Sequence, residues 1–172
     1  DITIWTRGEE LVNNTFPELV NLISIINEDF VIDGEILIWD PTNHCPSEFG
    51  LLQKRLRRKS PSNKIQKDLP ISFIIYDLLE LNGKDLRENM LSDRRDQLEK
   101  SYLNWKNKTS DPYFYKLRLT NLLKVLNWDD VEDKKNDSRN LNTEGLVIKN
   151  KNSKYLPGRK KGNWWKYKVD PM

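Results

Sequence analysis

Catalysis on a phosphate needs cations to neutralise oxygens, carboxylates to hold a divalent metal, and a nucleophile. The stretch TEGLVIKNKNSKYLPGRKKGNWWKYK, Thr143 to Lys168, offers the first two. Lys166 and Lys168 stand at i and i+2 of a short strand, so both ammonium groups point to one face and converge on one spot. A phosphate suits such a spot; the competing reading is a solvent-facing edge that discourages strand pairing. Trp165 and Tyr167 are expected to face the other way, into the core. Glu35 interrupts one apolar strand and Glu144 begins another, positions where a carboxylate is costly unless it meets a donor, a metal or water. Tyr76, in an aliphatic strand just before Asp77, is either core or a ring offered to a stacked base.

The charge distribution points the same way. The 172 residues carry a formal net charge of only +3. Yet Gln53 to Lys67 holds seven basic residues and no acidic one, Lys149 to Lys168 holds eight, and Asp129 to Asp137 is locally acidic. Two basic tracts in a nearly neutral chain suggest a positive face for a polyanion, with solvated loops as the plainer alternative. Lys54, Arg55, Arg57, Arg58, Lys154, Arg159, Lys160 and Lys161 are the candidate contacts. The single Cys45 excludes an intrachain disulfide and fits a reducing compartment. His44 beside it lacks the companions a metal site needs. No apolar run approaches the ~18 residues of a membrane span, and no signal-peptide pattern opens the chain. Because the first residue is Asp1, the sequence reads as an excerpt or a processed product.

These residues need elements to position them, and with 37% hydrophobic residues the chain can bury one sizeable core. Phe30 to Trp39, FVIDGEILIW, is either a hairpin turning at Asp33-Gly34 or one long strand, and its β-branched flanks favour the strand. Ile71 to Leu79 is a second buried strand, Asn82-Gly83 a turn, and Ser92 to Leu103 a capped helix. Ile2 to Thr6 and Tyr113 to Leu117 read as strands, Glu18 to Ile26 and Thr120 to Trp128 as helices. Ser47 to Lys59 reads as a basic helix capped by Ser47, Ser60 to Leu69 as a mobile connection and Val131 to Leu141 as a polar loop. Glu144 to Lys149 and Asn163 to Val169 close the chain as strands around a loop. Buried strands interleaved with surface helices give an α+β domain of mainly antiparallel sheets.

The ordered set DGE (Asp33 to Glu35), FIIYDLL (Phe73 to Leu79), EGLVIK (Glu144 to Lys149) and WWKYK (Trp164 to Lys168) resembles motifs III, IIIa, IV and V of the covalent nucleotidyltransferases, specifically ATP-dependent DNA ligases. WTRGEEL followed by FPEL is similar to the segment just after the first motif of that family. FGLLQKRLRRK and DLLELNGKDLRENMLSDRR look most like the bacterial type encoded beside a large helicase and a nuclease. The resemblance covers nearly the whole chain and implies an N-terminally incomplete nucleotidyltransferase (ATP-grasp-like) adenylation fold over residues 1–172. It implies ATP, passing through AMP, with Mg²⁺ or Mn²⁺, and nicked double-stranded DNA as substrate. It further implies helicase and nuclease partners, a monomer, no membrane, and a bacterial cytoplasm and nucleoid.

Residue by residue, the resemblance implies that Arg7 contacts a phosphate of nucleotide or DNA, Glu35 holds the ribose hydroxyls, and Tyr76 stacks on adenine. It makes Glu144 the metal-associated acid, Lys149 the lysine closing motif IV, and Lys166 with Lys168 the pair that binds the α-phosphate. The family's nucleophile is the lysine of a K-x-D-G motif, and no K-x-D-G occurs here. That motif is expected upstream of Asp1 and an oligonucleotide-binding domain downstream of Met172, so the chain alone is not expected to adenylate itself. RNA ligases and capping guanylyltransferases share the motif set, and a non-catalytic nucleic-acid-binding module or an adaptor would be competing readings from other classes.

Overall fold

The computed structural model describes residues 1–158 and 160–169. Its centre is an antiparallel pair of eleven-residue strands, β1 (Phe30–Asp40) and β3 (Ile71–Leu81). The Asp-Gly-Glu segment therefore lies inside a strand and not at a hairpin turn. Gly34 is required there because a Cβ would come 2.6 Å from the Ile74 carbonyl oxygen and from the Phe73 ring. Asp33 is paired with Asp77 but Gly34 with Ile75, so Tyr76 is an extra residue on β3, a bulge of the kind that re-aims a side chain. The adjacent Asp77 and Leu78 are both fully buried.

Short strands complete this sheet. β2 (Cys45–Pro46) pairs with β1, after a turn whose backbone N–H groups at Thr42 and Asn43 donate to the Asp40 carboxylate. β4 (Lys84–Asp85) returns along β3 through Asn82 and Gly83, both in the left-handed region, as a two-residue hairpin needs. β5 (Leu117–Leu119) runs parallel to β3, the one parallel pairing among the described strands. A separate two-stranded sheet joins β6 (Gly145–Lys149) to β7 (Trp164–Lys168).

One face of the large sheet carries the core. Ile75, Leu78 and Leu117 pack with Leu98 and Trp105 of α4 (Leu91–Lys108). Ile38 and Ile71 pack with Phe16, with Leu19 of α1 (Pro17–Ser24) and with Leu52 of α2 (Phe49–Leu56). Cross-strand pairing places Glu35 beside Ile74, Leu37 beside Ser72, and Ile74 beside Arg118. By strand alternation these residues and Trp39 occupy the opposite face. That face is left for chemistry.

Several local expectations change. Ser47 caps nothing: α2 starts after Glu48, without a side-chain cap bond. Likewise Met90, which donates no cap bond, precedes α4, and that helix is longer than the charge pattern suggested. The connection after Ser60 contains a helix, α3 (Asn63–Asp68), whose Ser62 hydroxyl accepts from the Ile65 N–H. Residues 120–127 are irregular, and α5 (Trp128–Asp137) takes up most of the expected polar loop. The Asn127 side chain accepts from Asp130 N–H, and Asp129 and Asp130 complement the first turn, so capping outweighs the apolar spacing of Leu122 to Leu126. Ile2 to Thr6 makes only a Trp5–Leu11 bridge, and Tyr113 to Leu117 becomes a 3₁₀ turn, Phe114–Lys116, ahead of β5. No described helix is long and apolar enough to cross a membrane.

Candidate functional site between the two sheets

The β6–β7 register sets Gly145 opposite Lys168, Val147 opposite Lys166 and Lys149 opposite Trp164, so Lys149, Lys166 and Lys168 share one face. Gly145 adopts φ +132°, and a Cβ there would collide with the Tyr167 backbone; only glycine lets the strand begin this close to its partner. This placement brings Glu144 Oε2 to 2.6 Å from Lys168 Nζ. The hydrogen bond from Lys168, its charge and that of Lys166 hold the Glu144 carboxyl below its ordinary value. Enclosure raises the Glu35 carboxyl, although that side chain still reaches solvent; the Lys166 ammonium opposes the rise and the like charge of Glu144 adds to it. Glu35, Glu144, Lys166 and Lys168 therefore form one electrostatic group contributed by two sheets.

Trp165 and Tyr167 do alternate with the lysines, but they do not enter the core. Tyr167 donates its hydroxyl to Glu132 of α5 and lies under Lys135, 4.5 Å from ring centroid to Nζ, while Trp165 is 48% exposed. The two-stranded sheet has a helix on one side and the site on the other, with no third layer to bury it.

Beside the charged group stands an aromatic one. The bulged Tyr76 donates its hydroxyl to Asp33 Oδ1 at 2.9 Å, and Tyr155 donates to Oδ2 of the same carboxylate at 2.7 Å. Trp164 meets both rings edge to face, with centroids 6.2 and 6.1 Å apart. Lys149 Nζ lies 4.4 Å from the Tyr76 centroid and 3.8 Å from that of Trp164. Burial lowers the Lys149 ammonium to about 8, partly opposed by Asp77 and Asp33. Burial and the Asp33 charge together push both tyrosine hydroxyls upward.

A buried ion pair anchors this arrangement. Arg94 of α4 donates Nε and Nη2 to the Asp77 carboxylate at 2.8 and 2.9 Å, with both side chains fully buried. Its Nη1 reaches the carbonyls of Asn89 and Ser153. Backbone bonds from Leu91 N to Ser153 O and from Tyr155 N to Arg87 O dock the loop that delivers Tyr155. Asp33, Arg94, Tyr155 and Trp164 were not singled out from sequence. Tyr155 carries no motif signal and Arg94 only its place near the end of DLLELNGKDLRENMLSDRR, because what selects them is a contact between distant segments.

The remaining candidates divide sharply. Arg55 is a correction: it is 0% exposed, pairs with Glu18 at 2.6 Å and donates to the Thr15 and Leu69 carbonyls, so it cannot reach a nucleic-acid backbone. Lys54, Arg57 and Arg58 on the same helix end are exposed. Lys154 is exposed and pairs with Glu88 at 2.7 Å, while Lys160 and Lys161 are exposed in the loop before β7. Arg159 lies outside the described residues. Arg7 sits in an exposed turn. Among the described residues no group of three or more His, Cys, Asp or Glu is gathered as a metal site.

The family model described as ATP dependent DNA ligase domain matches residues 1–168. A DNA ligase of Methanococcus aeolicus is 30% identical over 168 residues, 97% of this chain and 28% of the relative. DNA ligase 2 of Methanosarcina acetivorans is 31% identical over 169 residues, 97% of this chain and 29% of the relative. Among solved structures, the ligase domain of M. tuberculosis LigD superposes with a TM-score of 0.71 at 27% identity, covering 98% of this chain and 47% of that one. Mycobacterial DNA ligase D complexed with ATP and MES gives 0.71 at 28% identity, covering 96% of this chain and 47% of that one. The α+β fold is that of these ligase domains, although the chain spans less than a third of the length of the two curated relatives.

Proposed function

The chain belongs to the ATP dependent DNA ligase domain family, and from that premise we propose that it is the adenylation domain of an enzyme that seals nicks bearing 5′-phosphate and 3′-hydroxyl ends. In this reading ATP adenylates a lysine, AMP passes to the 5′-phosphate, and the 3′-hydroxyl displaces it. The single observation that carries the proposal is the convergence of Glu35, Glu144, Lys166 and Lys168 beside the Tyr76 platform.

Each side chain then has a task. Tyr76, fixed by Asp33, stacks on the adenine, and Lys149 must yield one face of that ring as the base enters. Glu35 accepts from the ribose hydroxyls; partial burial raises its carboxyl and the Lys166 ammonium opposes that rise. Lys166 and Lys168 offset the charge that develops on the α-phosphate during transfer. Glu35 and Glu144 together fit Mg²⁺ or Mn²⁺, which binds through one or two carboxylates plus substrate phosphates; Glu144 would hold it and it would supply Lewis-acid charge there. Arg7 takes a phosphate of the nucleotide or the DNA. Lys54, Arg57, Arg58, Lys154, Lys160 and Lys161 line the approach of the duplex backbone, an interaction that weakens steeply with salt. A helicase and a nuclease as partners, the bacterial setting and a monomeric state belong to the same proposal.

Calorimetric titration of the chain with ATP and Mg²⁺ tests it. Tyr76→Ala and Lys166→Ala are each expected to weaken binding roughly ten-fold or more, from the loss of stacking or of a charge-assisted contact. ATP affinity unchanged in both variants would sink the reading.

A further inference from the structure

A second concentration of rings and cations lies further along the same sheet face. Trp39 follows Glu35 by four residues on β1 and on the same side, about 13 Å away at strand rise. The Arg118 guanidinium lies 3.9 Å over the Trp39 ring, held there by donating Nε to the Ser72 hydroxyl at 3.2 Å. The 3₁₀ turn Phe114–Lys116 stands as a ridge between two open clefts of about 390 and 240 Å³, with Tyr115 lining both. Tyr113 and Tyr115 are 58% and 51% exposed, their ring centroids 6.5 Å apart. Lys67, Lys106 and Lys116 rim the clefts, whereas Asp111 is the one carboxylate among the lining residues, already engaged by the Tyr113 N–H at 2.6 Å. Trp39 lines the second cleft, and its indole N–H is buried with no acceptor among the described residues.

Resting on the nucleic-acid reading of the chain, we propose that this ridge and its clefts bind an unpaired segment of the DNA substrate. Exposed rings interleaved with cations match single strands, because an unpaired base presents its π-face while a duplex presents mainly phosphates. Tyr115 and Tyr113 stack on successive bases, and Lys116, Lys106 and Lys67 meet the backbone. Nothing in the nucleotide site uses these residues. They give the domain a hold on a frayed or displaced strand near the position of catalysis.

The test is fluorescence anisotropy with a labelled oligothymidylate of about twelve nucleotides, within the range one such site covers, run beside a nicked duplex. Tyr115→Ala combined with Lys116→Ala is expected to weaken oligothymidylate binding roughly five-fold or more while changing nicked-duplex affinity less than about two-fold. Tyr115→Phe, which keeps the ring, should bind like the parent. Oligothymidylate affinity that ignores the double substitution, or an equal loss for both ligands, would overturn the proposal. Failure of the unsubstituted protein to bind the nicked duplex while it still holds the oligothymidylate would instead overturn the ligase reading and leave this one standing.

Discussion

Two stretches of this chain look alike on paper, Gln53 to Lys67 with its seven basic residues and Lys149 to Lys168 with its eight. They fold to different ends. In the first, one arginine is swallowed: Arg55 has no exposed surface, and its guanidinium ties α2 to the Glu18 carboxylate of α1 and to the carbonyls of Thr15 and Leu69. Its neighbours stay in water. In the second, the deepest cation among the described residues is Lys149, held among aromatic rings, while Lys166 and Lys168 face carboxylates across an open site. A guanidinium can satisfy several fixed acceptors at once and so becomes a structural rivet; an ammonium on a flexible stem is poorly suited to that and remains available to a ligand. Counting positive charges therefore says little about which of them can meet a polyanion.

Removing the buried member of the first tract should produce the largest effect. Arg55→Ala leaves the Glu18 carboxylate and two carbonyls without their donor, a loss of about 3–5 kcal/mol of stability for a broken buried pair. Arg58→Ala, three positions after the buried Arg55 and exposed, should change stability by no more than roughly 0.5 kcal/mol. Urea unfolding of the two variants decides the matter. Equal stabilities would mean that Arg55 is as dispensable as its neighbours and that the contrast between tracts is illusory.

The long strands were readable because their apolar runs and the turn at Asn82-Gly83 are local signals, and the residues embedded in them, Glu35, Tyr76 and Lys166, stand on the site face. What escaped was non-local or decided by small competing terms. The bulge that re-aims Tyr76 depends on register with β1, which no window of β3 alone reveals. Arg55 and Arg58 have the same chemistry and nearly the same sequence setting; burial separates them, through contacts with residues some forty positions away. Leu122 to Leu126 has helical spacing but remains irregular and exposed, and the helix starts only where Asn127 supplies a cap. Tyr155 gave no signal at all, because its partner Asp33 lies 122 residues distant.

Within the second tract, pH separates the enclosed lysine from the open ones. The Lys149 ammonium is lowered to about 8 in the folded protein from an ordinary 10.5, so the folded state disfavours its charged form. The sign follows: below pH 8 both states carry the proton and folding bears the cost; between about 8 and 10 the unfolded chain binds more protons, and stability rises with pH. Asp77, Asp33, Arg94 and Arg95 face the same group and set the size of the rise. Tyr76 and Tyr155, pushed upward, begin to act in the opposite direction only near and above pH 10, where unfolded tyrosines ionise. Lys149→Met should keep the apolar stem and flatten the rise between pH 8 and 10 in thermal melts. A variant whose melting profile parallels that of the parent through this window would show that the rings do not enclose a charge.

The smallest effect belongs to Lys154, which sits in the same tract yet touches the machinery nowhere. Its ammonium pairs with Glu88 at 2.7 Å, but both side chains are more than half exposed, and such surface pairs contribute about 0–1 kcal/mol. Lys154→Ala should thus leave melting within about a degree or two for a domain of this size. What it should alter is the salt dependence of duplex binding, lowering the slope of log affinity against log salt by about one if Lys154 releases Glu88 to meet a phosphate. The slope would stay put if Glu88 retains the lysine when DNA arrives. Either outcome assigns Lys154 to one side of the contrast: an exposed cation spent on the fold, as Arg55 is in the interior, or one held in reserve for the polyanion, as Lys160 and Lys161 are in the neighbouring loop.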